Sequence, residues 1–166
     1  MSPEDLKYFS EFLAEYQSET DRGAALVGAA QLDQQLVDLL KRHFLDAKET
    51  TELLEGGSAP LGTFSSRILT AFCLGLISDP EFRELQLIRK IRNEFAHHTH
   101  GLAFEDQKVA SLCANLSDRM PDASQHGIKM TPRLRFVNAV ICTSLALWNR
   151  PHYASKFRAE QRPWPY

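Results

Sequence analysis

A chain of 166 residues, 43% apolar and 24% charged, has the length and composition of one globular domain with a real core, which excludes global disorder. No run of about 18 apolar residues occurs, so no membrane-spanning helix is expected. The net charge of −2 hides a polarity: residues 1–60 carry 12 acids against five bases, the remainder nine acids against 14 bases, a division suited to pairwise association of acidic with basic faces or to one basic surface for a polyanion.

The opening residues Met1–Leu6 are acidic rather than basic-then-apolar, so no secretory leader is expected and the cytoplasm is the expected compartment. Cys73, Cys113 and Cys142 stand far apart in apolar helical surroundings. They read as three reduced core residues, not as a disulfide or zinc framework.

The chain reads as helix after helix. Leu6, Phe9, Phe12, Leu13 and Tyr16 recur at three- and four-residue spacing and predict a first helix. Asp21 suits the cap of a second, whose stripe Leu26, Ala29, Leu32, Leu36, Leu39, Leu40 and Phe44 is wide enough to mark it as the central helix. Glu55–Gly62 contains the glycines and proline of a helix-breaking loop. A third helix places Leu61, Phe64, Ile68, Ala71, Phe72 and Leu76 inward and ends near Ile77.

Asp79-Pro80 is a start signal, an acceptor at the cap and a proline in the first turn. It opens a fourth helix with Phe82, Leu85, Ile88, Ile91 and Phe95 inward, stopped by Gly101. A short helix from about Asp106 to Leu116 buries Val109, Leu112, Cys113 and Leu116. A loop is expected over 117–131. Thr131-Pro132 then starts a last helix with Leu134, Val137, Ile141, Leu145 and Trp148 inward. No strand alternation and no fixed-period repeat is visible. The expected fold is all-α, a single-domain bundle of five or six helices over 1–149, with a basic, aromatic C-terminal tail over 150–166.

The segment Ile88–His98 concentrates the chemistry. Cleavage of RNA without a metal needs a base for the ribose 2′-hydroxyl, which imidazole supplies near neutral pH, and a cation for the crowded phosphorane, which an arginine fork supplies. His97 and Arg92 are the candidates, with Asn93 to orient a phosphate or hydroxyl. Five helical residues put Arg92 and His97 about 140° apart. Both face one substrate only if the helix loosens near Ala96 or if two copies meet at a dimer axis. The structural alternative is an arginine bridging to Glu94, Glu105 or Asp106 and a histidine favoured by the helix C-terminus.

His97, His98 and His100 lack a neighbouring carboxylate or cysteine at ligand spacing, so no metal and no cofactor is expected. His43, late in the second helix, reads as a core or dipole-favoured histidine. Ser65-Ser66-Arg67 is a weak phosphate signal. In the tail, Arg150, Lys156, Arg158 and Arg162 alternate with Tyr153, Phe157 and Trp164. That pairing stacks on bases while neutralising phosphates, and equally suits a segment folding over its own bundle or docking on a partner. No helix-turn-helix, glycine-rich phosphate loop or nucleophile elbow is present.

Two resemblances bear on these residues. The block Ala59-Pro-Leu-Gly-Thr-Phe-Ser-Ser-Arg-Ile68, then Cys73-Leu-Gly-Leu-Ile77, then Ile91-Arg-Asn-Glu-Phe-Ala-His97 with Phe104 and Asp106, resembles the mannitol operon repressor family over roughly residues 20–116. That resemblance implies an all-helical regulator acting through a protein partner rather than by reading DNA. Separately, Arg92-Asn-Glu-Phe-Ala-His97 resembles the Arg-x(four to six)-His motif of the HEPN superfamily. This second resemblance implies a dimeric, metal-independent ribonuclease of a toxin–antitoxin or defence system, with Arg92, Asn93 and His97 as its site. The expected partners are a second copy of the chain and a protein, with RNA in the ribonuclease reading and direct DNA binding disfavoured.

Overall fold

The computed structural model describes residues 3–117 and 129–165; most of the loop expected over 117–131 lies outside them. The elements are α1 (Pro3–Ser18), α2 (Asp21–His43), α3 (Lys48–Leu54), α4 (Phe64–Cys73), α5 (Asp79–His97), α6 (Gln107–Ala114), α7 (Pro132–Trp148), α8 (Arg150–Ala154) and a 3₁₀ turn (Ser155–Phe157). The architecture is all-α, as the helical periodicity requires. The six helices read from the sequence are present, and the short α3 and α8 are additional. No helix among the described residues is long and apolar enough to cross a membrane.

α2 is the centre: α1, α3, α4, α5, α7 and α8 all pack on it. Its Ala24, Ala25, Gly28 and Ala29 are buried together with Leu32, Leu36, Leu39 and Leu40, so one end of the helix is thin and the other fat. Tyr16 of α1 lies over the thin end, stacked on Phe12 with ring centroids 5.3 Å apart. The Leu6 and Phe9 side chains, expected on the same face, lie outside those described. Against the other side of α2, Phe95, Phe104 and Phe136 form a chain of rings at 4.8 and 5.1 Å, a favourable aromatic spacing.

The caps differ from expectation by one residue in two places. Thr20, not Asp21, caps α2 by accepting from the Gly23 amide at 3.1 Å. Asp21 in the first turn is thereby free to accept from Arg133 Nη1 at 2.7 Å and from the Phe104 amide at 3.1 Å. Likewise Ser78 precedes α5, and its amide and hydroxyl both donate to Glu81 Oε2 at 2.8 Å. Asp79 instead pairs with Arg83 one turn on, at 2.9 Å.

α4 is shorter than its apolar stripe suggests. Thr63 caps it, and Gly75, at φ +68°, closes it with Gly75 N–H to Phe72 O and Leu76 N–H to Ala71 O, both 2.9 Å. Only glycine adopts that backbone freely, which is why the helix stops there.

α7 is rotated relative to expectation. Its buried face is Phe136, Val137, Ala139, Val140, Thr143, Ser144 and Leu147, while Leu145 is 41% exposed. The buried face takes in two polar residues, Thr143 and Ser144, whose hydroxyls have no hydrogen-bond partner among the described residues, while the Ser144 backbone carbonyl accepts from Gln35 Nε2 of α2 at 3.2 Å. The cysteines are corrected too. Only Cys113 is buried; Cys142 is half-buried and Cys73 exposed. Burial pushes the Cys113 thiol up to about 12, which makes it inert near neutral pH.

Two outcomes follow from this packing. A Cβ at Gly28 would sit 2.4 Å from Tyr16 Oη and 3.1 Å from Val140 Cγ1, and a buried ring has little room to retreat. Gly28→Ala should therefore cost roughly 1–3 kcal/mol in denaturant unfolding, despite alanine's better helix propensity. Wild-type stability in that variant would mean that α1 is free to lift off α2.

The second outcome concerns Glu81, which is 9% exposed. Burial pushes its carboxyl up, but hydrogen bonds from Arg150 and Ser78 outweigh this and bring it from the usual 4.5 down to about 2. A carboxylate with a depressed folded pKa stabilises the fold fully above its unfolded value and loses that contribution as pH falls through the folded one. Between pH 4.5 and 2, then, Glu81→Gln should lose less stability than wild type. Arg150→Ala should be destabilised by roughly 2–3 kcal/mol at neutral pH, because it leaves the carboxylate unpaired.

Candidate functional site

α5 delivers Arg92, Asn93 and His97 to one end of the bundle. The helix is anchored by Ile88, Ile91 and Phe95, all fully buried, so the residues between them must face outward. Arg92 is exposed and Asn93 half-buried, and Arg92 Nη1 donates to Asn93 Oδ1 at 3.1 Å. His97 is exposed in the last turn. The helix does not loosen near Ala96: the His98 amide still donates to Glu94 O at 3.2 Å, with His98 Nδ1 2.9 Å from the same oxygen. Arg92 and His97 of one copy are therefore held about 140° apart.

Two of the three carboxylates that could have tied Arg92 down are engaged elsewhere. Glu94 pairs with Lys108 at 2.8 Å, and Asp106 Oδ2 accepts from the Ala103 amide at 2.7 Å. Neither Arg92 nor His97 has a carboxylate partner among the described residues. His98 is tied through its backbone, its carbonyl accepting from Arg22 Nη2. No cluster of three or more histidine, cysteine or acidic side chains that could hold a metal occurs among the described residues.

Arg92 lies on the rim of a groove of about 430 Å³ between α2, the start of α4 and α5, which it lines with Arg89, Asn93, Asp33, Ser65 and Phe64. His97 is not part of it. Arg89 was missed by motif reading, although its place three residues before Arg92 put it on the same helix face. Of the Ser65-Ser66-Arg67 triplet only Ser65 opens onto the groove. Ser66 is spent on the α4 cap with Thr63, and Arg67 is an internal tie, donating to Asp33 Oδ2, Leu54 O and Leu61 O at 2.7, 2.7 and 2.9 Å. His43 is half-buried, and its Nδ1 has no hydrogen-bond partner.

The basic residues of the C-terminal segment split into two sets. Arg150 is internal, gripping Glu81 with both Nη groups at 2.7 Å. Arg158 is also internal: Nε donates to Phe44 O at 3.0 Å, Nη2 to Lys41 O at 3.4 Å, and Nη1 meets Asp46 at 3.3 Å. With Ala159 N–H on His43 O at 2.7 Å, it satisfies the orphan carbonyls at the end of α2. Lys156, Arg162 and Trp164 remain exposed, with Lys156 Nζ 5.2 Å over the Tyr153 ring. Phe157 and Trp164, 75% and 69% exposed, flank a groove of about 660 Å³ that reaches back to Leu45.

No family model matches the chain. An 89-residue stretch is 29% identical to the mannitol operon repressor of Escherichia coli strain K12, and equally to that of Escherichia coli O6:H1, covering 51% of this chain. The match spans 46% of those relatives, so the chain spans about half the length of the curated relatives it matches. Among solved structures, a chain in the X-ray structure of the MtlR–HPr complex from Escherichia coli superposes with a TM-score of 0.58 at 22% identity, covering 90% of this chain and 99% of that one. The chain thus shares its fold with that structure and, over half its length, a measure of sequence with mannitol operon repressors.

Proposed function

We propose that this chain is a cytoplasmic regulatory protein that acts by docking a protein partner and not by reading DNA bases. One observation carries the reading: Phe157 and Trp164 stand largely in solvent around a groove, on a segment that Arg158 and Ala159 fasten to the end of the central helix. Large exposed aromatic side chains grouped around a groove are the kind of surface on which protein partners dock. The likeness to a structure solved as a complex with HPr supports HPr as the partner class. The absence of a helix-turn-helix in the sequence agrees with regulation at one remove from DNA. The regulator acts as a homodimer, in keeping with the charge polarity along the chain.

A second reading is favoured by the exposure of Arg92 and His97 without carboxylate partners: metal-independent RNA cleavage. The regular helix rules out a site within one copy, so this activity would need Arg92 and His97 from two copies.

Calorimetric titration with HPr should show saturable binding. Phe157→Ala with Trp164→Ala should weaken it about tenfold or more, the loss expected for two interface aromatics, with unchanged melting. Binding that ignores both substitutions would remove the C-terminal surface from the reading. In the ribonuclease assay, purified protein incubated with RNA and EDTA should leave the RNA intact if the regulator reading holds. Cleavage that disappears in folded His97→Ala and Arg92→Ala variants would establish the second reading instead.

A further inference from the structure

The chain's partly buried arginines mostly spend their charge internally, Arg67 on Asp33, Arg133 on Asp21 and Arg150 on Glu81. Arg89, also partly buried, does not, nor does the exposed Arg92 one turn on. Arg89 is half-buried; its Nε donates to Gln86 Oε1 at 3.0 Å, and its Nη groups meet no carboxylate among the described residues. Arg92 gives Nη1 to Asn93 Oδ1. That contact fixes the amide, so that Asn93 Nδ2 is left as a donor alongside Arg92 Nη2. Ser65, across the groove on α4, has an uncommitted hydroxyl. One acid, Asp33, lines the same groove; Arg67 Nη1 meets its Oδ2 at 2.7 Å, while its buried Oδ1 has no hydrogen-bond partner among the described residues.

We propose that this groove is an oxyanion site for a phosphate monoester. Its donors come from two elements, Arg89, Arg92 and Asn93 on α5 and Ser65 on α4. A tetrahedral group with three free oxygens uses donors from several directions, whereas a planar carboxylate is satisfied by one arginine fork. The first turn of α4 adds its positive end on the same side. At about 430 Å³ the groove is much larger than a bare ion, and Leu26, Ala29 and Phe64 give it an apolar wall for the carbon skeleton that bears the phosphate. The inference concerns a ligand of this chain alone and does not depend on the protein partner proposed above. Two sources share the chemistry, a small organic phosphate and a phosphorylated side chain of another protein.

The test is a nuclear magnetic resonance titration of the nitrogen-labelled full chain, following the Nε–Hε signals of Arg89 and Arg92. The probes are glycerol 1-phosphate, a phosphoserine tripeptide and a hydroxyl-ended single-stranded RNA whose phosphates are all diesters. Saturable shifts with at least one monoester and little response to the RNA are expected; the monoester that saturates at the lower concentration names the source. Arg89→Gln and Arg92→Gln should each weaken binding about tenfold or more, the loss of one charge-assisted hydrogen-bond set. Arg42→Gln, an exposed arginine in the last turn of α2, should leave it unchanged. No saturation with either monoester, an equal response to the RNA, or equal weakening by Arg42→Gln would overturn the site.

Discussion

The structure depends on the burial of α2. Six neighbours cover this helix and leave it one narrow solvent stripe, Val27, Ala30, Gln34, Asp38 and Arg42, so its first half must be thin where α1 and α7 press on it. Ala24, Ala25, Gly28 and Ala29 provide that. Crowding of this kind leaves few positions for side chains to join the outer helices, and arginine fills them because its long stem and planar fork span from one element to the next. Arg133 ties α7 to the start of α2 and to Glu19 O, Arg67 ties α4 to α2 and α3, and Arg150 ties α8 to α5 and to Leu76 O. Each bond set is charge-assisted and partly buried, so removing one end leaves a costly orphan.

That pattern gives meaning to the exceptions. Where tying two elements together is the rule, a half-buried Arg89 whose Nη groups find no carboxylate is out of place for a purely structural residue. The same comparison reassigns the C-terminal bases. Arg150 and Arg158 look alike in sequence to Arg162, but the first two close internal carbonyls and a carboxylate while Arg162 stays in solvent. Composition alone cannot separate these roles, because it does not show which bases lie within reach of an unpaired carbonyl.

Much of the fold was legible because the apolar positions recur at helical spacing, and the central place of the second helix followed from its wide stripe. The errors have local causes. At α2 and α5 two adjacent residues could each cap, Thr20 or Asp21 and Ser78 or Asp79. Tertiary partners decided, since Asp21 is needed by Arg133 and Phe104. α7 is phased differently from its apolar stripe because Thr143 and Ser144 are buried, and a polarity pattern assigns such residues to the surface. Cys73 was read inward for the converse reason, as a small apolar residue in a helix that ends beside it. Of the groove's lining, Arg92 and Asn93 stand out in the sequence through the α5 motif and Ser65 through its Ser-Ser-Arg run, whereas His97 of the same motif lies outside the groove. Arg89 carries no motif, and the approach of α4 to α5 that sets Ser65 opposite it is a tertiary fact with no short-range signature.

The two surfaces sit on the same helix. Asp33 lines the groove, and His43, whose carbonyl holds the C-terminal segment, lies ten residues further along α2, about 15 Å by helical rise. Between them runs the body of α2, which is regular and buried on most sides and so transmits displacement poorly unless it shifts as a unit. Arg158 is the residue best placed to register such a shift, because its guanidinium grips Lys41 O and Phe44 O at the end of that helix. If α2 slid along its axis, those carbonyls would leave the fork and the aromatic segment would lose its base.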